Sequence, residues 1–306
     1  MFFRVKRALR RTWFDLNCRA LLQTRPIGPA NADFTLVTQT CHGEVLMNLL
    51  AIKSFVRSLG RTPSIVSLND GSLTEQDRAI LARHIPYAKQ VHIADVPKAR
   101  VPKGGSWESL MLVCDVAQDS YVIQIDSDTL FQHSIEEVNR CLDSNRAFTL
   151  LGDRSFPEIE SMISASQRAK SNPSNMIQVL CERTFDQLPE SASLKYVRGN
   201  AGFIGFPKGS ITRDKIEWFS DLMQGLTKEK WNEWGSEQVT TNLLIANIDN
   251  SYVLQFPKYL SYWAHPEVAY DQASFIHFIG PHRFSNGVYV SSARRVIKAL
   301  SPDLKG

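Results

Sequence analysis

Between residues 34 and 125 short β-rich runs alternate with segments of helical spacing, and this alternation restricts the chain to a small set of folds. Phe34–Thr38, Ser64–Leu68, Lys89–Ile93 and Tyr121–Ile125 read as strands. Glu44–Ser58, with Val45, Leu49, Ile52 and Val56 three or four apart, reads as a helix, as do Ser72–His84 and Trp107–Ala117. Asn69-Asp70-Gly71 marks a turn. Such units predict a mostly parallel sheet with right-handed crossovers and helices on both faces. Past residue 130 the order is less regular. Ile135–Asp143, Ile211–Gln224 and Glu237–Ala246 read as helices, and Ala147–Leu151, Tyr252–Phe256 and Phe275–Phe278 as strands. Tyr196–Phe206 has β character interrupted by Gly199, Gly202 and Gly205, and the long polar stretch 155–190 is open between a lid and an acceptor-recognition insert. The expectation is an α/β chain with one Rossmann-like domain over residues 29–306, irregular in its C-terminal half, behind a basic amphipathic segment, residues 1–28.

That segment carries the charge asymmetry. Residues 1–25 hold seven basic groups and one acid, Asp15, whereas the remaining 281 residues hold 28 basic and 30 acidic groups. The body is thus no nucleic-acid binder by charge. Phe2, Val5, Leu9, Trp13, Leu16 and Ala20 recur at helical steps over residues 1–22, with arginines around the other face. No uninterrupted apolar run of signal-peptide or bilayer-spanning length is present. Two readings stay open: a helix lying on an anionic membrane surface, or one packed on the body or a partner. Arg25-Pro26-Ile27-Gly28-Pro29 reads as a linker. The five cysteines are odd in number and contain no CxxC pair, which points to free thiols in a reducing compartment. The expected location is therefore cytoplasmic, with peripheral contact at the inner face of the membrane through residues 1–22 on the first of those two readings.

The chemistry concentrates at Asp126-Ser127-Asp128, directly after the fourth strand. With 17 Asp in the chain a D-x-D arises about once by chance, so spacing alone says little. Its place does more, because open α/β sheets bind ligands beyond the carboxyl ends of their strands. On a continuing strand the two carboxylates would point to opposite faces, so a turn at Ser127 is needed for both to reach one cation. Hard oxygen donors favour Mg²⁺ or Mn²⁺, and an imidazole shifts the preference toward Mn²⁺. His277 ends the apolar run Ser274–Ile276 and precedes Gly280, which would permit close backbone approach, and Arg283, a guanidinium able to fork onto phosphate. Taken singly, His277 reads as a satisfied core histidine and the acidic pair as a strand-end cap; together they favour a metal–diphosphate site.

Four blocks spread over residues 33–285 resemble the GT-A nucleotide-sugar glycosyltransferases, closest to the glycogenin and bacterial lipopolysaccharide galactosyltransferase-like family. They are Tyr121–Leu130 (YVIQIDSDTL), Arg198–Gly202 (RGNAG), Glu237–Asn242 (EQVTTN) and His277–Arg283 (HFIGPHR). The resemblance implies a GT-A fold and transfer of a hexose from a nucleotide-diphosphate sugar, a UDP-sugar in the family, to a hydroxyl of a glycan or glycolipid acceptor, with retention. It implies that Asp126, Asp128 and His277 hold Mn²⁺ or Mg²⁺, that Asp126 approaches the donor, and that Arg283, supported by Gly280, grips the diphosphate. It places Thr38 and Thr40 at the donor, Asn200 and Gln238 at the donor sugar and reacting centre, and Asp153 and Glu237 on donor or acceptor hydroxyls. Inversion would instead need Asp153 or Glu237 as a base. The chain departs from the family at Phe284-Ser285, where Pro-Trp is usual, at Thr40-Cys41-His42, and at Trp107-Glu108-Ser109-Leu110.

The phosphatase motif D-x-D-x-T is not matched, because Thr129 comes one position early, and the loop 38–45 lacks the glycines and basic residue a nucleotidyltransferase needs. The alternative from another class is a non-catalytic descendant that binds carbohydrate or nucleotide sugar. Trp231 and Trp234 are open between acceptor stacking and packing, and Tyr259, Tyr262 and Trp263 read as core.

Overall fold

A computed structural model describes residues 2–301, with side chains from residue 8 onward. Helix α1 (Phe2–Cys18) is followed by β1 (Phe34–Thr40), α2 (Val45–Leu59), β2 (Ser64–Asn69), α3 (Glu75–His84), β3 (Lys89–His92), α4 (Trp107–Val116) and β4 (Tyr121–Ile125), the alternation that the sequence predicts. Then come β5 (Thr129–Phe131), α5 (Glu136–Asp143), β6 (Phe148–Leu151), β7 (Glu160–Ser161), α6 (Met162–Lys170), α7 (Ile177–Glu182), β8 (Lys195–Tyr196) and β9 (Gly199–Phe206). The chain continues with α8 (Arg213–Thr227), α9 (Ser236–Ala246), β10 (Tyr252–Leu254), β11 (Tyr259–Ser261), β12 (Phe275–His277) and α10 (Val288–Leu300).

The central sheet has the strand order β10-β6-β9-β4-β1-β2-β3. It is mixed and largely parallel: β1 pairs β2, β2 pairs β3 and β10 pairs β6 in parallel, whereas β9 runs antiparallel to β6. Every residue of β4 is buried, which is why its sequence is apolar at four of five positions rather than alternating, and the one polar side chain, Gln124, donates to the Ala201 carbonyl at 3.2 Å. Helix α3 begins later than its pattern suggests, at a capping box in which Thr74 and Asp77 satisfy each other's backbone N–H. Helix α2 stops at Gly60, whose φ of 74° is left-handed. Strand β9 runs from Gly199 to Phe206, but its pairing with β6 shifts register between Asn200 and Ile204, an irregularity that includes Gly202. At Gly205 a Cβ would come within 2.2 Å of the Phe148 ring on β6.

Internal contacts divide the chain into two compact units. The first comprises Met1–His92, Ile125–Asn139 and Gln255–Gly306. In it, α1 packs through Phe14 and Cys18, with Leu21 just beyond, all fully buried. The Phe14 ring lies 4.3 Å from Tyr289 and 5.4 Å from Phe284. The helix is shorter than its periodicity predicts, because residues Arg19–Gln23 tighten into a 3-10 turn. The Pro/Gly segment after it is docked rather than loose: the Ile27 N–H donates to the His84 carbonyl at 2.9 Å, and the Lys53 ammonium to the Arg25 carbonyl at 2.5 Å. The same unit holds a small sheet of order β11-β12-β5. Tyr259 and Tyr262 are core, as expected, whereas Trp263 is partly exposed.

The second unit comprises Ile93–Gln124 and Arg140–Leu254. Here the polar 155–190 stretch is helical and tied down. Arg198 pairs with Glu182, Arg168 pairs with Glu160 at 2.6 Å, and both guanidiniums sit over the Phe156 ring, at 5.3 and 5.1 Å. Trp231 is core, edge-on to Trp107 at 5.7 Å, while Trp234 is exposed.

Candidate metal centre

The centre lies within the first unit and starts from one turn. Strand β4 ends at Ile125, the chain bends through Asp126 and Ser127, and β5 begins at Thr129. The bend is pinned locally: the Thr129 hydroxyl donates to the Asp126 carbonyl at 2.8 Å, and the Ser127 hydroxyl to Glu44 Oε2 at 2.5 Å. Strand β5 then pairs antiparallel with β12, placing His277 opposite Thr129, and the Phe278 N–H donates to the Asp128 carbonyl at 2.9 Å. This register brings the imidazole to the acidic pair. His277 Nε2 lies 3.0 Å from Asp128 Oδ1 and 3.5 Å from Asp126 Oδ2.

One ligand atom from each of Asp126, Asp128 and His277 falls within 4.8 Å of the other two. Two donors on one octahedral ion at about 2.1 Å stand about 3 Å apart when cis and about 4.2 Å when trans. The donors present fit that spacing, and their chemistry, two hard oxygens and one imidazole nitrogen, suits Mn²⁺ or Mg²⁺. Asp128 and His277 are buried, whereas the Asp126 side chain keeps 44% exposure, so the open side of the centre is at Asp126.

Arg283 completes the cluster. Its two terminal nitrogens reach Asp128 Oδ2 at 2.5 Å and Glu44 Oε1 at 3.0 Å, and its Nε donates to the Phe278 carbonyl at 3.0 Å. A short 3-10 turn, Gly280–His282, carries it there. Gly280 has a left-handed φ of 52° and nothing within 4 Å of a built Cβ. A glycine suits that left-handed conformation. The charges shift one another. Burial works against the Asp128 carboxylate, but His277 and Arg283 outweigh it and hold its pKa below the usual range. Burial also opposes a charged His277, yet the Asp128 and Asp126 carboxylates raise its pKa. Asp126 is lifted, chiefly by desolvation with Asp128 and Glu44 adding to it, against the pull of His277.

Glu44 is the participant that sequence reasoning missed, having assigned it only to the start of a helix. Its position just past the carboxyl end of β1 was the available signal. Thr38 and Thr40 belong to the same unit. The Thr38 hydroxyl is buried and accepts from Asn48 at 2.7 Å, while the buried Thr40 hydroxyl has no hydrogen-bond partner among the described residues. Asp153, Asn200, Glu237 and Gln238 lie in the second unit. Asp153 Oδ1 accepts from the N–H and hydroxyl of Ser155 at 2.8 and 2.6 Å. Asn200 Oδ1 accepts from the Gly202 N–H at 2.8 Å, and Glu237 Oε2 from the Gly235 N–H at 3.0 Å ahead of α9. Gln238 is partly exposed in the first turn of α9.

No protein-family model matches the sequence, and none of the curated proteins is close enough to count as a relative. Solved structures do match. The bifunctional glycosyltransferase WbbM, apo form, aligns over 83% of this chain with a TM-score of 0.51 and 14% identity, and the chain spans 47% of its length. The galactosyltransferase LgtC, in complex with donor and acceptor sugar analogues, aligns over 89% of this chain and 97% of its own, with a TM-score of 0.49 and 13% identity. Mouse xyloside xylosyltransferase 1 aligns over 80% and 97%, with a TM-score of 0.46 and 12% identity. At these identities the likeness concerns the fold, and the WbbM match carries it: the chain shares a GT-A-type α/β fold with that structure. A particular family within that fold is not distinguished.

Proposed function

We propose that the chain is a metal-dependent glycosyltransferase that moves a hexose from a nucleotide-diphosphate sugar, a UDP-sugar by resemblance, to a hydroxyl of a glycan or glycolipid, with retention. The observation that carries this reading is the convergence of Asp126, Asp128 and His277 within 4.8 Å, with Arg283 seated on Asp128. A divalent cation bound there would neutralise charge developing on the leaving diphosphate. Arg283 adds a fixed guanidinium, and because three acceptors already hold it in place, little reorganisation accompanies its interaction with a phosphate. Glu44 orients Arg283 and Ser127 together. The resemblance assigns Asn200 and Gln238 to the donor sugar and Asp153 and Glu237 to hydroxyls, and single alanine variants test these assignments through kcat and KM.

The deciding experiment is calorimetry of UDP binding with and without Mn²⁺, followed by mass spectrometry of UDP-sugars incubated with the protein. Mn²⁺-dependent binding with release of UDP supports the reading. Mn²⁺-dependent binding without turnover of any donor identifies a binding descendant of the fold. Binding indifferent to Mn²⁺ removes the proposed role of the three ligands.

A further inference from the structure

Among the described side chains of α1, the large apolar residues of the stripe are not the ones the helix buries. Phe14 and Cys18 point into the first unit, whereas Leu9, Trp13 and Leu16, spaced four and three apart, are 66%, 47% and 53% exposed. They are therefore neighbours on one outward face. The Trp13 ring leans against Gly287, where a Cβ would lie 3.7 Å away, so the indole is supported rather than free to fold back. A contiguous exposed patch of Leu, Trp and Leu on a soluble surface marks an interaction site.

The surrounding charge on α1 is predominantly positive. Arg10, Arg19 and Arg25 are exposed, and Asp15, the single acid among residues 1–25, faces Arg11 at 3.8 Å. Helix α10, which packs beside α1, exposes Arg294 and Lys298 and contains no acid between residues 288 and 300. Among the described residues no helix is long and apolar enough to cross a membrane. A supported Trp–Leu face ringed by arginines matches the pattern of helices that lie in the plane of a bilayer, with the tryptophan at headgroup depth and basic groups on anionic lipid.

We infer that this face of α1 docks the protein on an anionic lipid surface, inserting Leu9, Trp13 and Leu16 among the headgroups. The docking helix is coupled to the metal centre by direct packing, since Phe14 lies on Phe284, the residue after Arg283. Combined with the transfer reading, on which this clause alone rests, docking favours a lipid-linked glycan as the acceptor class.

The test is co-sedimentation of the full chain with phosphatidylcholine vesicles, with and without about a quarter phosphatidylglycerol, in the absence of metal and donor. The expected result is retention on the anionic vesicles only, weakened by salt. Leu9→Ser/Trp13→Ser/Leu16→Ser should reduce partitioning at least about tenfold, and Arg10→Glu about tenfold or more. The triple variant should keep the wild-type Tm and its rate of donor hydrolysis in vesicle-free solution, which separates loss of docking from loss of the transfer reaction. Wild-type protein that ignores anionic vesicles, or a triple variant that binds them equally well, overturns the inference. So does a dimer in sedimentation velocity that the triple variant dissociates without wild-type vesicle binding, because a second copy would then be the occupant.

Discussion

Asp128→Asn tests the electrostatic logic of the centre in one measurement of thermal stability. The substitution keeps the shape of the side chain but removes a buried charge lying 3.0 Å from His277 and 2.5 Å from an Arg283 nitrogen. Removing one partner of a buried ion pair costs about 3–5 kcal/mol. Here Arg283 keeps Glu44 at 3.0 Å and the Phe278 carbonyl at 3.0 Å, so the loss should be smaller, about 2 kcal/mol. For 306 residues the unfolding entropy is about 0.6 kcal/mol per degree, which makes the expected fall in Tm about 3 °C. Mn²⁺ then separates charge pairing from ligation. At a concentration 100 times its Kd the ion adds about 2.7 kcal/mol, or about 4 °C, to the wild type. A ligand loss that weakens affinity on the order of 100-fold leaves the variant with a gain under about 1 °C at the same concentration. Differential scanning calorimetry of both proteins with and without MnCl₂ reads all four values. Equal Mn²⁺-induced shifts in the two proteins refute Asp128 as a ligand, and a Tm unchanged in the variant without metal refutes its role as counter-ion to Arg283 and His277.

Because the carboxylates raise the pKa of His277, the proton on its imidazole competes with a cation, so Mn²⁺ affinity should rise with pH above about 6.5; isothermal titration in two buffers of different ionisation enthalpy should show proton release on binding. His84 acts in the opposite sense on stability. Burial, with Lys53 and Arg83 nearby, lowers its pKa to about 4, so the unfolded chain binds its proton first as pH falls. The stability held above pH 6.5 should be lost between 6.5 and about 4, to a total of about 3 kcal/mol, and urea unfolding across that range should lose this slope in His84→Gln. Phe14→Ala should cost about 3–4 kcal/mol, because the ring is fully buried against Phe284 and Tyr289, and scanning calorimetry should show a fall of about 5–6 °C.

Strands β1, β2 and β4 were legible because they are almost wholly buried and separated by helices of ordinary length, and periodicity reports burial; β3, four residues and largely exposed, was legible only from its place in the alternation. Strands β5 and β11 were not legible. Thr129–Phe131 follows the acidic pair directly and reads as the tail of its turn, and Tyr259–Ser261 reads as part of an aromatic core cluster. The metal centre depends on the unreadable part. Asp126 and Asp128 announce themselves beside β4, but His277 reaches them only through the pairing of β5 with β12, across 149 positions of sequence. Residue types and block order suggested the meeting through resemblance; local pattern could not. The same limit governs α1, where periodicity did not fix which side chains face the body. A ring cluster of Phe278, Phe284 and Tyr289 accepts Phe14 and thereby turns Leu9, Trp13 and Leu16 outward.

Glu44 shows why the centre is more than a pair of aspartates. It adds a third carboxylate to a space served by one guanidinium and one imidazole, the groups within 3.5 Å of each other's charges being Asp126, Asp128, Glu44, Arg283 and His277. Even with the imidazole protonated, the carboxylates outnumber the cations, and deprotonation of His277 widens the deficit. Crowding like charges in this way is costly, and structures that serve packing alone avoid it. A divalent cation held by Asp126, Asp128 and His277 would relieve that excess, and the imidazole would bind it in its neutral form. Arg283, with two carboxylates as partners, cannot neutralise both, and a cation drawing Asp128 toward itself would leave the guanidinium with unspent positive charge beside the ion. That is the arrangement a diphosphate requires: two positive centres, one replaceable and one built into the chain, on a base of fixed negative charge.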